Sequence, residues 1–91
     1  MSPKQRAPIT PGEILLTEFL EPKGLSQAKL AALLKIPLQR INLVVKGKRR
    51  ITAEMALLLA KAFDTSAEFW MNLHNAVDLY AARAEFEKRT A

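Results

Sequence analysis

Three side chains able to read base edges stand within four positions of one another: Gln39, Arg40 and Asn42. Glutamine and asparagine can pair bidentately with adenine, and arginine with guanine. Lys46, Lys48, Arg49 and Arg50 follow closely and are of the type that meets phosphate oxygens. They belong to a longer stretch of one sign. Residues 22–53 carry Lys23, Lys29, Lys35, Arg40, Lys46, Lys48, Arg49 and Arg50, and neither Asp nor Glu. The rest of the chain holds six bases and nine acids. A solvated surface usually mixes signs. A one-signed stretch in a chain of net charge +5 and pI about 9.9 therefore points to an anionic partner. Nucleic acid is the expected one. A membrane surface is not expected, because Gly24, Pro37 and Gly47 break the run before it can form one long amphipathic helix.

Other chemistry finds little support. The chain has no cysteine, so disulfides, Cys-ligated zinc and Cys nucleophiles are excluded. Of the three serines, Ser2 lies near the N-terminus, while Ser26 and Ser66 read as helix caps. His74 is the sole histidine, with Asp78 four residues on as its nearest candidate partner. It reads as a surface or interface side chain, so neither metal nor cofactor is expected. Three glycines in all do not make a phosphate-cradling loop. The reading is of a binding protein, not an enzyme.

The elements that must position these residues are helical. The chain has 91 residues, 49% hydrophobic and 25% charged, which suits one small globular domain. Its longest apolar run, Met55 to Ala60, is far short of the ~18 residues of a membrane span. The N-terminus has no apolar signal region, so a cytoplasmic, nucleoid-associated protein is expected. Residues 1–8 read as a loose arm, 9–80 as the domain, and 81–91 as a helical extension or tail.

Five helices are expected, with no strand. The first runs from Pro11 to Glu21, with Thr10 as cap, Glu13 completing a capping box, and Ile9 with Ile14 as a hydrophobic staple. Pro22 and Gly24 end it. The second runs from Ser26 to Leu34, with Leu30, Leu33 and Leu34 facing inward. The third runs from Pro37 to Lys46, stopped by Gly47, with Ile41, Val44 and Val45 buried. The fourth runs from Ala53 to Phe63 behind Thr52. The fifth starts near Ser66, where Thr65 and Glu68 form a second capping box, and can extend to Arg89.

Helices two and three are separated by about two residues, too few for antiparallel packing along their length. A steep crossing, the helix-turn-helix arrangement, fits instead, with Ala31 and Ala32 at the contact. The polar face of the third helix then enters a major groove. Ser26 and Gln27 begin the second helix, where backbone N–H groups favour a phosphate oxygen. On the fifth helix Phe69, Trp70, Leu73, Val77 and Tyr80 present more apolar surface than a small core absorbs. They are assigned to a homodimer interface, which a palindromic operator with half-sites ~34 Å apart would require, with burial in the core as the alternative.

These residues resemble a known family. Leu25-Ser26-Gln27, Leu30-Ala31, Ile41-Asn42, Lys46-Gly47-Lys48-Arg49 and Ile51-Thr52 look like lambda-repressor-like helix-turn-helix proteins, the XRE family. Pro11-Gly12-Glu13-Ile14-Leu15, Ala56-Leu57 with Leu59-Ala60, and Glu68-Phe69-Trp70 narrow the resemblance to the HigA antitoxins. The resemblance implies an all-α, five-helix domain with its helix-turn-helix at helices 2 and 3. It further implies a dimeric autorepressor that silences a HigB-like toxin, an mRNA endonuclease. Such a toxin must itself be basic, so Glu13, Glu18, Glu21 and the arm are assigned to meet it. The chain departs from the family in having Lys35 where glycine is usual in the turn, and Leu38 and Leu43 at positions often polar. Lys35 adds a base beside the DNA, and Leu38 can contact a thymine methyl. Two alternatives stay open: a stand-alone repressor without a toxin, and a protein-binding module that no longer reads DNA. The basic stretch argues against the second.

Overall fold

The computed structural model describes residues 7–90. Most of the arm assigned to residues 1–8 lies outside them. The described residues form five helices and no strand. The first, α1, has three contiguous segments: α-helical over Pro11–Ile14, π-helical over Leu15–Leu20 and α-helical again over Glu21–Lys23. Thr10 caps it, its Oγ1 accepting from the Glu13 N–H at 3.1 Å. Contrary to expectation, Pro22 does not end the helix. A proline lacks the N–H of the helical ladder and its ring crowds the carbonyl four residues back. The π-turn relieves this by shifting the pairing, so that the Glu21 N–H reaches back five residues to the Leu16 carbonyl. The stop comes two residues later at Gly24, which has φ +60°.

Helix α2 covers Gln27–Leu34, with the Ser26 hydroxyl accepting from the Lys29 N–H. Helix α3 covers Leu38–Val45. Pro37 precedes it in extended backbone, as its cap and not its first residue. Helix α4 covers Ala53–Phe63 behind Thr52. Helix α5 covers Ala67–Thr90. Its cap corrects the sequence reading. The Ser66 Oγ accepts from the Phe69 N–H, while Thr65 Oγ1 accepts from the Trp70 indole N–H at 2.8 Å. Thr65 is therefore spent on the core and not on a capping box.

The core joins Leu15 and Leu20 of α1, Leu30, Ala31 and Leu34 of α2, Ile41 and Val44 of α3, Ile51 of the loop that follows, Met55, Ala56 and Leu59 of α4, and Trp70 of α5. Burying each large side chain contributes roughly 1.5–3 kcal/mol. Trp70, grouped by sequence with the dimer residues, is fully buried in the single chain. It has no surface left for a partner. Phe19 explains this: its ring centroid lies 5.1 Å from both Trp70 and Phe63. Leu33 also departs from expectation, being 66% exposed. Of the two small residues assigned to the crossing of α2 and α3, Ala31 is buried and Ala32 is exposed. A contact not foreseen joins α1 to α3. A Cβ on Gly12 would fall 1.9 Å from the Val44 carbonyl oxygen, so the two backbones touch where only glycine fits.

Helix α5 leaves the core at its midpoint. Residues 78–90 are all exposed, and the Cα trace measures 48 × 22 × 22 Å. Among the described residues no helix is long and apolar enough to cross a membrane.

Candidate nucleic-acid interface

Helix α2 ends at Lys35, which adopts the left-handed conformation at φ 59°, ψ 42°. The Ile36 N–H bonds the Ala31 carbonyl and the Lys35 N–H the Ala32 carbonyl, closing the last turn. This reversal and the extended Pro37 aim α3 across α2. Ile41 and Val44 then anchor α3 in the core. At 100° per residue the opposite face carries Gln39, Leu43 and Lys46. Gln39 and Lys46 are exposed and Leu43 is half-buried. Leu38, on the first turn, is 47% exposed.

Two polar residues flank this face, each held from within. Asn42 Nδ2 donates to Gln27 Oε1 of α2 at 3.0 Å. Arg40 Nη2 donates to Thr52 Oγ1 at 3.2 Å and lies 3.8 Å from Glu54 Oε1. Thr52 also caps α4 through the Met55 N–H, so one hydroxyl fixes both the helix start and the arginine. The acid Glu54 sits just beyond the acid-free stretch and reaches back into it.

The loop after α3 carries the other bases. Gly47, at φ 75°, turns the chain, and the Lys48 N–H closes the turn on the Leu43 carbonyl at 2.8 Å. Lys46, Lys48 and Arg49 are exposed and have no ion-pair partner among the described residues. Arg50 differs. Its guanidinium donates to both Asp78 oxygens, at 3.0 and 2.8 Å. This fork holds the Asp78 carboxyl below its usual range and raises Arg50 further. The next residue, Ile51, donates its N–H to His74 Nε2, so the imidazole is neutral with its proton on Nδ1. Partial burial lowers the His74 pKa and the Arg50 charge lowers it further, while Asp78 opposes. His74 and Asp78, one turn apart on α5, thus pin the loop. A cleft of about 210 Å³ lies beneath it, with Thr10, Gly12, Val77 and His74 among its walls.

A family model described as helix-turn-helix matches residues 16–70. The Escherichia coli K12 regulator YbaQ, named an uncharacterised HTH-type transcriptional regulator, is 46% identical over 80 residues, covering 88% of this chain and 71% of that one. Antitoxin HigA-1 of Vibrio cholerae is 34% identical over 88 residues, covering 97% and 83%. Among solved structures, Pseudomonas aeruginosa antitoxin HigA with the higBA promoter superposes with a TM-score of 0.85 at 46% identity, covering 91% and 90%.

The chain belongs to the XRE-type helix-turn-helix family, in its HigA branch. The family is one of DNA-binding regulators and antitoxins, not of enzymes. Its helix-turn-helix is α2–α3, as the sequence predicts. The structure brings Ser26, Gln27, Lys35, Leu38, Gln39, Arg40, Asn42 and Lys46 together on these two helices and their turn, with Lys48 and Arg49 on the adjoining loop. Of the α5 residues, Phe69 and Tyr80 are exposed, while Leu73 and Val77 are half-buried. Leu79 and Phe86, not singled out by sequence, are 50% and 66% exposed. Glu13, Glu18 and Glu21 are exposed along α1. Sequence reasoning missed Thr52 and Glu54 as partners of Arg40. It also missed the Ile51 N–H as partner of His74, because a backbone donor across the fold leaves no mark in the sequence.

Proposed function

We propose that this HigA-branch chain is a sequence-specific operator-binding antitoxin that represses its own operon as a dimer and neutralises a partner mRNA endonuclease. The observation that carries the DNA reading is the cation array around the exposed face of α3: Lys35, Lys46, Lys48 and Arg49, all exposed. The array meets phosphates while α3 sits in the major groove, with Gln39 at the base edges and Arg40 and Asn42 at its sides. Ser26 and Gln27 receive a phosphate at the start of α2. Two copies place two α3 helices on half-sites one helical turn apart, and α5 supplies the dimer surface. The promoter complex of the Pseudomonas relative supports the operator role. The relatives named HigA support a toxin partner, with the acids of α1 as its contact. The relative named only as a transcriptional regulator favours a second reading, a repressor without a toxin.

The test is fluorescence anisotropy on DNA from immediately upstream of the protein's own operon, beside a scrambled duplex, at two salt concentrations. The expected result is clear preference for the native duplex with a steep salt dependence, since phosphate contacts release counterions. Equal, weak binding to both would overturn operator recognition. Co-expression with the neighbouring gene product separates the two readings: a stable complex that abolishes RNA cleavage marks the antitoxin.

A further inference from the structure

We infer that the operator half-site is read chiefly through thymine methyl groups, received by Leu38 and Leu43 of α3. The inference rests on the reading above, that α3 enters the major groove. Its starting point is the division of labour on that helix. Two of the three side chains suited to bidentate base pairing are already bonded within the protein, Arg40 to Thr52 with Glu54 nearby, and Asn42 to Gln27. Turning either toward a base would forfeit those bonds. The outward face retains Gln39, Leu43 and Lys46, with Leu38 exposed on the first turn beside it.

Those leucines lack an internal role. Leu38 is 47% exposed. Leu43, though half-buried, stands apart from the residues that pack on the core. Accessible aliphatic carbon on the helix that enters a groove needs an apolar partner to be useful. In the major groove the apolar feature is the C5 methyl of thymine. The surroundings select that occupant over a protein surface. Lys35, Lys46, Lys48 and Arg49 frame the leucines and, among the described residues, have no ion-pair partner. A second copy docking here would bring the same cations face to face, and a basic protein would be repelled likewise. A polyanion carrying methyl groups satisfies both features at once.

The experiment replaces every thymine of the upstream duplex by deoxyuridine. This removes the methyls and leaves all base-pairing groups and charges in place. Wild type should bind the uracil duplex at least about fourfold more weakly for each methyl buried, and 5-bromodeoxyuridine, whose bromine fills the methyl's place, should restore affinity. Leu38→Ala and Leu43→Ala should bind the thymine duplex more weakly and lose discrimination between the two, which a double-mutant cycle reads directly. Leu38 is a surface residue, so its variant folds. If wild type binds both duplexes equally while still preferring them to a scrambled one, the methyl inference is overturned and DNA recognition stands. If no duplex is preferred to the scrambled one, the groove reading falls and this inference with it.

Discussion

Lys35 shows how a single residue can serve function against stability. It ends α2 with φ 59°, a conformation that costs a side-chain-bearing residue about 1 kcal/mol and glycine almost nothing. A left-handed helix end falls on glycine at Gly24 and Gly47 and on Asp64 after α4, so the fold itself does not demand a lysine. What the lysine adds is one exposed cation beside α3. Lys35→Gly should raise stability by about 1 kcal/mol and the Tm by several degrees for a domain of this size. It should also weaken operator binding and reduce the slope of log K against log salt by about one. Thermal melts and anisotropy on the same variant check both halves. A variant with gained stability and an unchanged salt slope would place Lys35 away from the DNA. In the sequence only the departure is legible, a lysine where the resembled family usually has glycine; the left-handed backbone itself is seen in the structure.

At the scale of elements, boundaries are legible where a local signal decides them. Thr10, Ser26 and Thr52 cap as their types predict, each accepting from the N–H three residues on. The fifth cap misleads because Thr65 and Ser66 are both competent, and the Trp70 indole, a tertiary matter, takes Thr65. The flanks of α3 are illegible for the same reason. Arg40 meets Thr52 across 12 positions, Asn42 meets Gln27 across 15, and Ile51 meets His74 across 23. The last contact has a consequence for acidity. Unfolded histidine titrates near 6.5, and burial and Arg50 lower the folded value. Between the two values the unfolded chain binds more protons. The stabilisation from a neutral His74 is therefore complete above about pH 6.5 and is lost as pH falls through the folded value. The fork of Asp78 with Arg50 outlasts it, failing only at pH values below the carboxylate range. Wild type should melt at a lower temperature at pH 5.5 than at 7.5, and the difference should shrink in His74→Ala. An equal pH response in both would assign the loss to another group.

The whole molecule is a small core with one long helix leaving it. The core accounts for α1 to α4 and for α5 as far as Leu73, and Val77 beyond it is half-buried. From residue 78 on, a helix exposed on every side over residues 78–90 has little to stabilise it in isolation, since most helical stability comes from a packed apolar face. The proposed dimer provides that packing: Leu79 and Tyr80, with Phe86 further along, give α5 an apolar surface distinct from the buried Trp70. It also sets the spacing of two α3 helices, and so ties DNA affinity to the state of α5. Tyr80→Glu should separate the protomers without touching the core, halving the mass seen by light scattering. Linkage of two half-sites multiplies affinity by about 10² to 10⁴, so the monomer should bind the full operator weaker by a factor in that range, while its affinity for an isolated half-site stays unchanged. Leu38→Ala should lower half-site affinity and leave the mass intact. A Tyr80→Glu protein that keeps the mass of a dimer would move the interface off this face of α5, and the exposed Leu33 and Leu57 on α2 and α4 would be the next surfaces to substitute.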